Sequence, residues 1–238
     1  MIDNQIIKKR YLEVAIEKIN YHSEGVARLY SLNKSPDFFS IPYTLPNEII
    51  MTNKKSKNSH YSLIKIKQKS PDRIEQDCKF FLKCGGCLLQ HWNFNKYLDW
   101  KFNLLFKPIS KISPQTKVNN IHVVKKFSRR RAKLFAKKTS KDLLLGFKQY
   151  KSNNLVNIDQ CIILQPQILD SLKKIKIILN QILKIDDEMN ISINMLNNGL
   201  DILLKFKKKY NFYDYNYLNS FSELKNISRL SFQYKDNE

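Results

Sequence analysis

Three of the four cysteines in the chain, Cys78, Cys84 and Cys87, lie within ten residues of one another, and the fourth is Cys161. Thiolates are soft ligands that hold zinc ions or iron–sulfur clusters. The two glycines between Cys84 and Cys87 supply backbone without a Cβ, which suits a loop that wraps an ion or cluster. These residue types therefore indicate a metal centre.

The spacing leaves the kind of metal open. Structural zinc sites usually contain two close pairs of ligands, and His91 is able to replace one thiolate in such a site. Iron–sulfur clusters also take four thiolates, commonly three close together and one remote. A third interpretation is four unrelated cysteines that pack as small apolar side chains.

Residues 78–91 read Cys-x5-Cys-Gly-Gly-Cys-x2-Gln-His, followed by an aromatic residue and a predicted helix. This pattern resembles the iron–sulfur motif of the RNA 5-methyluridine methyltransferases, in which the fourth cysteine follows a segment like residues 155–161. Members of that family are class I S-adenosylmethionine-dependent enzymes that methylate carbon 5 of uracil in ribosomal or transfer RNA. The resemblance implies a structural [4Fe-4S] cluster held by Cys78, Cys84, Cys87 and Cys161.

Residues 1–70 are predicted to form a small β-barrel of the oligonucleotide-binding kind, because short alternating segments are separated by polar turns. The piece at residues 39–48 resembles the TRAM domain of the same family, which implies that this barrel binds RNA. We expect five strands, at residues 11–19, 25–30, 37–41, 48–52 and 61–67. A basic loop is predicted at residues 54–58.

The cysteine loop and a following helix occupy residues 71–106 in this prediction, with the helix at residues 95–106 ended by Pro108. Residues 107–238 are predicted to form a mixed α+β central domain that supplies the fourth cysteine. The fold class is therefore predicted as mainly β plus α+β: an OB-like TRAM barrel, an iron–sulfur loop and this central domain, with the Rossmann-like methyltransferase domain absent.

Within the central domain, alternation and turn residues predict strands, and apolar residues at helical spacing predict one amphipathic helix. The strands are expected at residues 121–124, 128–138, 143–147, 155–158, 191–196, 200–206 and 229–233. The amphipathic helix is expected at residues 167–184, and a short helix at residues 221–227. The Asn-Asn-Gly sequence at residues 197–199 predicts a hairpin turn, and residues 210–217 form an aromatic segment.

Lysine and arginine number 42 against 21 aspartates and glutamates, so the formal net charge is +21. Such a charge favours a polyanionic partner, and RNA is the first candidate. Arginine is the scarcer basic residue and its guanidinium group binds phosphate well, so three consecutive arginines stand out. The candidate RNA-binding residues are Arg129, Arg130, Arg131, Lys133 and Lys148. Strand alternation would place Arg129 and Arg131 on one face, with Arg130 on the other.

Uracil methylation in the resembled family requires a nucleophilic cysteine, a general base and a Rossmann-like cofactor pocket. None of the five glycines forms a Gly-x-Gly loop, and the cluster uses all four cysteines. We therefore predict no catalytic or S-adenosylmethionine-binding residue, and expect an N-terminal and central part that is inactive alone. S-adenosylmethionine is expected only for a full-length enzyme. The alternative is a stand-alone iron–sulfur or zinc RNA-binding protein without catalysis.

No secretory signal and no long apolar run occur in the sequence, and cysteines gathered at one site suit a reducing compartment. The expected protein is cytoplasmic, monomeric and independent of membranes. Ribosomal members of the resembled family usually carry both the barrel and the cluster. Ribosomal RNA, namely 23S rRNA, is accordingly the predicted partner in preference to transfer RNA.

Overall fold

The computed structural model describes residues 11–29, 37–54, 61–206 and 226–234. The chain divides into two compact units. The first contains Met1–Asp77 and Cys87–His122, and the second contains Cys78–Gly86 and Val123–Glu238. The cysteine-rich stretch is thus shared, because Cys78 and Cys84 belong to the second unit and Cys87 belongs to the first.

Five antiparallel strands build the first unit: β1 (Leu12–Ile19), β2 (Gly25–Leu29), β3 (Asp37–Ile41), β4 (Ile49–Lys54) and β5 (Tyr61–Gln68). They are hydrogen-bonded in the order β3-β2-β1-β4-β5. The first half of β1 pairs with β4 and the second half pairs with β2. Alternation along β1 buries Val14 and Ile16 against Ile41 and Ile50, as the period of two in a strand requires.

The predicted fold class is wrong, although the five predicted strands lie within two residues of the observed ones. The first unit forms a sheet in which β3 and β5 are the edge strands of the described residues, and it is not a closed OB-like TRAM barrel. The chain as a whole has two sheets and two helices in its described part. Alternation determines which side chains are buried, but it does not determine whether the sheet edges pair, so sequence periodicity could not establish closure.

Helix α1 (Phe94–Ile112) completes the first unit. Asn93 caps it, because its Oδ1 accepts hydrogen bonds from the backbone nitrogens of Asn95 and Lys96 at 3.1 and 3.4 Å. The helix continues through Pro108, so its predicted end near residue 106 is wrong. Proline loses one backbone hydrogen bond and disfavours a helix interior, but it does not abolish the helix here.

The second unit contains a six-stranded sheet of β6 (Arg131–Lys138), β7 (Leu143–Lys148), β8 (Leu155–Asn157), β9 (Glu188–Leu196), β10 (Gly199–Phe206) and β11 (Ile227–Tyr234). Its order is β11-β10-β9-β6-β7-β8, with β10 and β11 parallel and the other neighbours antiparallel. Helix α2 (Pro166–Ile182) covers one face. Its buried stripe, including Leu172, Ile175 and Leu179, packs with Leu134 and Ile191.

Two further predictions have different outcomes. The strand expected at residues 121–124 is wrong, because those residues are exposed and irregular in the structure. The hairpin turn is confirmed, since β9 ends at Leu196 and β10 begins at Gly199. The predicted aromatic segment at residues 210–217, and most of the basic loop at residues 54–58 and of the short helix at residues 221–227, lie outside the described residues.

No helix within the described ranges is long and apolar enough to cross a membrane.

Candidate functional site

The segment Cys78–Gly86 folds as a tight loop within the second unit. The Phe81 and Cys84 nitrogens donate to the Cys78 and Phe80 oxygens at 3.0 and 2.8 Å. The loop docks against the β7–β8 connection. The Gly85 nitrogen donates to the Lys148 oxygen at 2.9 Å, and the backbones of Cys84 and Gln149 form an isolated antiparallel β-bridge. A Cβ on Gly85 would lie 2.8 Å from the Tyr150 nitrogen, so only glycine fits this approach without a shift.

Two contacts connect this loop to the segment that carries Cys161. Lys79 Nζ lies 2.7 Å from Asp159 Oδ2, which pairs the residue after Cys78 with a residue close before Cys161. The hydrogen bond from Lys79 holds the pKa of the Asp159 carboxyl below its usual range. Cys84 and Cys161 also pack against the same apolar core. The loop that carries Cys78 and Cys84 is therefore held close to the segment that carries Cys161, although the two are far apart in sequence.

The four thiols themselves are half-buried, and none of them, all within the described residues, forms a disulfide. The Gly86 nitrogen donates to Cys84 Sγ at 3.4 Å. No group of three or more His, Cys, Asp or Glu side chains in the described part of the chain is arranged to hold a metal ion. The fold thus brings the cysteine-bearing segments of the second unit together without forming a ready metal centre.

Cys87 and His91 lie in the first unit. Burial raises the pKa of Tyr97, and the charge of the nearby Cys87 thiolate raises it further. Burial, together with the positive charge of Arg73, lowers the pKa of His91 to about 3. The His91 imidazole is therefore neutral at physiological pH, in a position that is fully buried.

The three consecutive arginines have different surroundings. Arg130 is anchored to the β9–β10 turn, where Nε donates to the Met195 oxygen at 3.1 Å and Nη2 donates to Asn197 Oδ1 at 3.0 Å. Arg129 Nε donates to the Arg131 oxygen at 3.1 Å. Only Arg131 lies within β6, so strand alternation over all three arginines is not observed. All three side chains are nevertheless exposed.

Lys133 and Lys148 lie on the face of the sheet that α2 does not cover. Lys133 alternates with Ala132 and Leu134, which are buried beneath the helix. Lys148 Nζ lies 4.6 Å from the centroid of the Phe135 ring, and it donates to Asn153 Oδ1 at 3.0 Å. Arg131, Lys133 and Lys148 are therefore brought onto one face.

We call this face, opposite α2, the open face. Register and alternation assign to it side chains from five strands. They are Arg131, Lys133, Phe135 and Lys137 of β6, Leu144 and Lys148 of β7, Glu188, Asn190, Ser192 and Asn194 of β9, Asp201, Leu203 and Lys205 of β10, and Arg229, Ser231 and Gln233 of β11.

The contributions of β9 and β10 to the open face were missed by the sequence analysis. The signal was present in β9, where buried Met189, Ile191 and Ile193 alternate with polar residues. Two ion pairs join side chains within the open face. Arg229 donates two hydrogen bonds of 2.8 Å to Asp201, and Lys137 Nζ lies 3.3 Å from Glu188 Oε1. The Arg229 bonds lower the pKa of the Asp201 carboxyl and raise that of the Arg229 guanidinium.

No protein-family model matches the chain. An uncharacterized RNA methyltransferase of Rhizobium meliloti is 31% identical over 195 residues, which are 79% of this chain and 45% of that protein. The 23S rRNA (uracil(1939)-C(5))-methyltransferase RlmD of Vibrio vulnificus is 30% identical over 205 residues, which are 83% of this chain and 46% of RlmD. The chain therefore spans about half the length of the curated relatives that it matches.

The fold is similar to the crystal structure of the Pyrococcus abyssi tRNA (uracil-54, C5)-methyltransferase in complex with S-adenosyl-L-homocysteine. The TM-score is 0.53 at 18% identity, over 86% of this chain and 48% of that one. This likeness extends across most of the chain. The chain therefore has the fold of part of that structure, and the predicted arrangement of a TRAM barrel, a cysteine loop and a central domain is wrong. The chain is thus a homologue of curated RNA methyltransferases over just under half of their length, with the fold of the corresponding part of a uracil methyltransferase structure.

Proposed function

We propose that the chain is the RNA-binding part of an enzyme that transfers a methyl group from S-adenosylmethionine to carbon 5 of uracil, with 23S rRNA as the substrate. The observation that carries this proposal is the similarity to proteins named RlmD over 83% of the chain. The net charge of +21 and the exposed basic side chains of the open face support an RNA partner. The alternative of a stand-alone RNA-binding protein is not favoured by relatives that are named as methyltransferases.

Methylation of uracil at carbon 5 needs a nucleophile, a base and a methyl donor. A thiolate must add to carbon 6 of uracil so that carbon 5 becomes nucleophilic, and a base must then remove the carbon 5 proton. S-adenosylmethionine supplies the methyl group. We assign none of these steps to the 238 residues, and propose that they bind RNA without transferring methyl groups by themselves.

The cysteines are proposed to hold a structural [4Fe-4S] cluster through Cys78, Cys84, Cys87 and Cys161. The resemblance of residues 78–91 to the iron–sulfur motif supports this assignment, and the Lys79–Asp159 ion pair and the shared packing of Cys84 and Cys161 hold two cysteine-bearing segments together. Four thiolates complete the ligand set of such a cluster, so the proposed role is to tie chain segments together.

Two measurements on the purified chain test the proposed function. Fluorescence anisotropy with a labelled uridine-rich RNA should show binding that weakens as salt rises from about 50 to 200 mM. Incubation with radiolabelled S-adenosylmethionine and 23S rRNA should leave the RNA unlabelled. Absence of RNA binding at low salt would contradict the proposed RNA partner, and methylated RNA would contradict the assignment of catalysis to other residues.

A further inference from the structure

We propose that the open face of the six-stranded sheet binds a single-stranded segment of RNA, laid across β6, β9 and β10. This inference rests on the proposed function, because it names the surface and the kind of RNA that the enzyme would take. Lys133, Lys205 and Arg131 are assigned to phosphates, and Asn190 and Ser192 to hydrogen bonds with bases or ribose.

The strand register places these side chains in neighbouring rows. Lys133 lies beside Ser192, and Asn190 lies between Phe135 and Lys205 in the next row. Adjacent strands are about 4.8 Å apart, and same-face residues along one strand are about 7 Å apart. The three cations therefore surround the polar side chains of β9 instead of forming one isolated charge cluster.

The ion pairs of the face determine which cations are available. Within the described residues the face carries six basic side chains and two acidic ones. Arg229 and Lys137 are held by the two acids, Asp201 and Glu188. Lys148 is directed to the Phe135 ring and Asn153. Arg131, Lys133 and Lys205 have no carboxylate partner in the described ranges, so their charges are available to a phosphate chain.

The chemistry of the face fits a single strand better than a duplex. Amide and hydroxyl groups on β9 lie between the cations of β6 and β10, where they meet the bases of a strand whose phosphates contact the lysines. A duplex hides its Watson–Crick edges and presents a deep, narrow major groove, so those polar groups would find few partners. A single strand keeps its base edges and faces accessible.

A matched pair of double variants tests this assignment. Lys133→Gln with Lys205→Gln removes two charges from the open face. Lys173→Gln with Lys174→Gln removes two charges from exposed positions of α2, on the opposite side of the same sheet. Each variant of the full chain is titrated against labelled oligouridine and against a hairpin duplex of equal length, at several salt concentrations.

We expect the open-face variant to bind oligouridine about tenfold more weakly per lysine at about 50 mM salt. Its plot of log K against log salt should be shallower by about 0.7 per lost contact. The α2 variant should bind like the unmodified chain. All three proteins should unfold at about the same temperature, since none of the substituted side chains is fully buried.

The outcomes separate this inference from the proposed function. Equal losses in the two double variants would overturn the open face as the binding surface while leaving RNA binding intact. Tighter binding of the duplex than of oligouridine would overturn the assignment to single strands. If the unmodified chain bound neither RNA, the proposed function itself would fail.

Discussion

Arg73 holds the carboxylate of Glu48 through two hydrogen bonds, from Nε to Oε1 at 2.5 Å and from Nη2 to Oε2 at 2.9 Å. Glu48 is fully buried. The same carboxylate accepts the Leu45 nitrogen at 2.9 Å and the Ser70 nitrogen at 3.4 Å, and Arg73 Nη2 also donates to the Tyr43 oxygen at 2.9 Å. The pair therefore fastens the turn before β4 to the segment that follows β5.

Replacing Glu48 with glutamine should destabilise the chain by about 3–5 kcal/mol, because a largely buried guanidinium loses its counter-charge. The matched control is Glu13→Gln, whose partner Lys67 lies 3.4 Å away in an exposed pair. That substitution should cost about 0–1 kcal/mol. Urea unfolding measures the free energy of unfolding of both variants. Equal losses would contradict a larger contribution of the buried ion pair to stability.

Gly85→Ala should destabilise the second unit by about 1–3 kcal/mol, because the new methyl group would be 2.8 Å from the Tyr150 nitrogen and 2.9 Å from the Lys148 oxygen. Gly86→Ala is the control, since its Cβ would meet only Cys84 Sγ at 3.5 Å, an ordinary contact. Thermal unfolding compares the two variants. A Gly86 variant as unstable as the Gly85 variant would contradict a role for the close docking.

The proposed cluster predicts a brown protein after anaerobic purification, with broad visible absorbance and about four iron and four sulfide ions per chain. Cys161→Ser should remove the colour, because the remote ligand is lost. The comparison substitution is Ser152→Ala, which leaves the cysteines unchanged and should keep the iron. A colourless protein with one equivalent of zinc would contradict the assignment.

Stability at low pH should depend on Asp201. Its pKa is lowered in the folded state by the hydrogen bonds from Arg229, so it contributes stability above its unfolded pKa of about 4. That contribution is lost as the pH falls through the lower folded pKa. The difference in unfolding free energy between the unmodified chain and Asp201→Asn should therefore shrink between pH 7 and acidic pH. A difference that stayed constant over this pH range would contradict the stabilising role of the Arg229 hydrogen bonds.

Local patterns predicted most individual elements. The alternation of Val14 and Ile16 located β1, and the spacing of Leu172, Ile175 and Leu179 located α2. Long-range pairing was not accessible in the same way, since periodicity carries no information about which strand edges meet. The apolar run at residues 121–124 failed for the same reason, because its composition favours a strand but no neighbouring strand pairs with it in the described part of the chain.

The candidate site was predictable in its residue types and less so in its arrangement. Lys133 was identified, but Lys205 was not, since the two residues come together only through the pairing of β6, β9 and β10. Arg130 was a candidate RNA-binding residue, yet its guanidinium donates to the Met195 oxygen and the Asn197 side chain. Such partners are far away in sequence, so only the fold shows which cations remain available.

The assignment of Cys78–Gly86 to the second unit, with first-unit residues on both sides, has a consequence for how the protein can be divided. The polypeptide passes between the units three times, after Asp77, after Gly86 and after His122. A protease that cuts at one of these passages leaves the units covalently joined by the other two. During synthesis on the ribosome, the segment Cys78–Gly86 must also wait for β7 and β8 to emerge before it can reach its docking position.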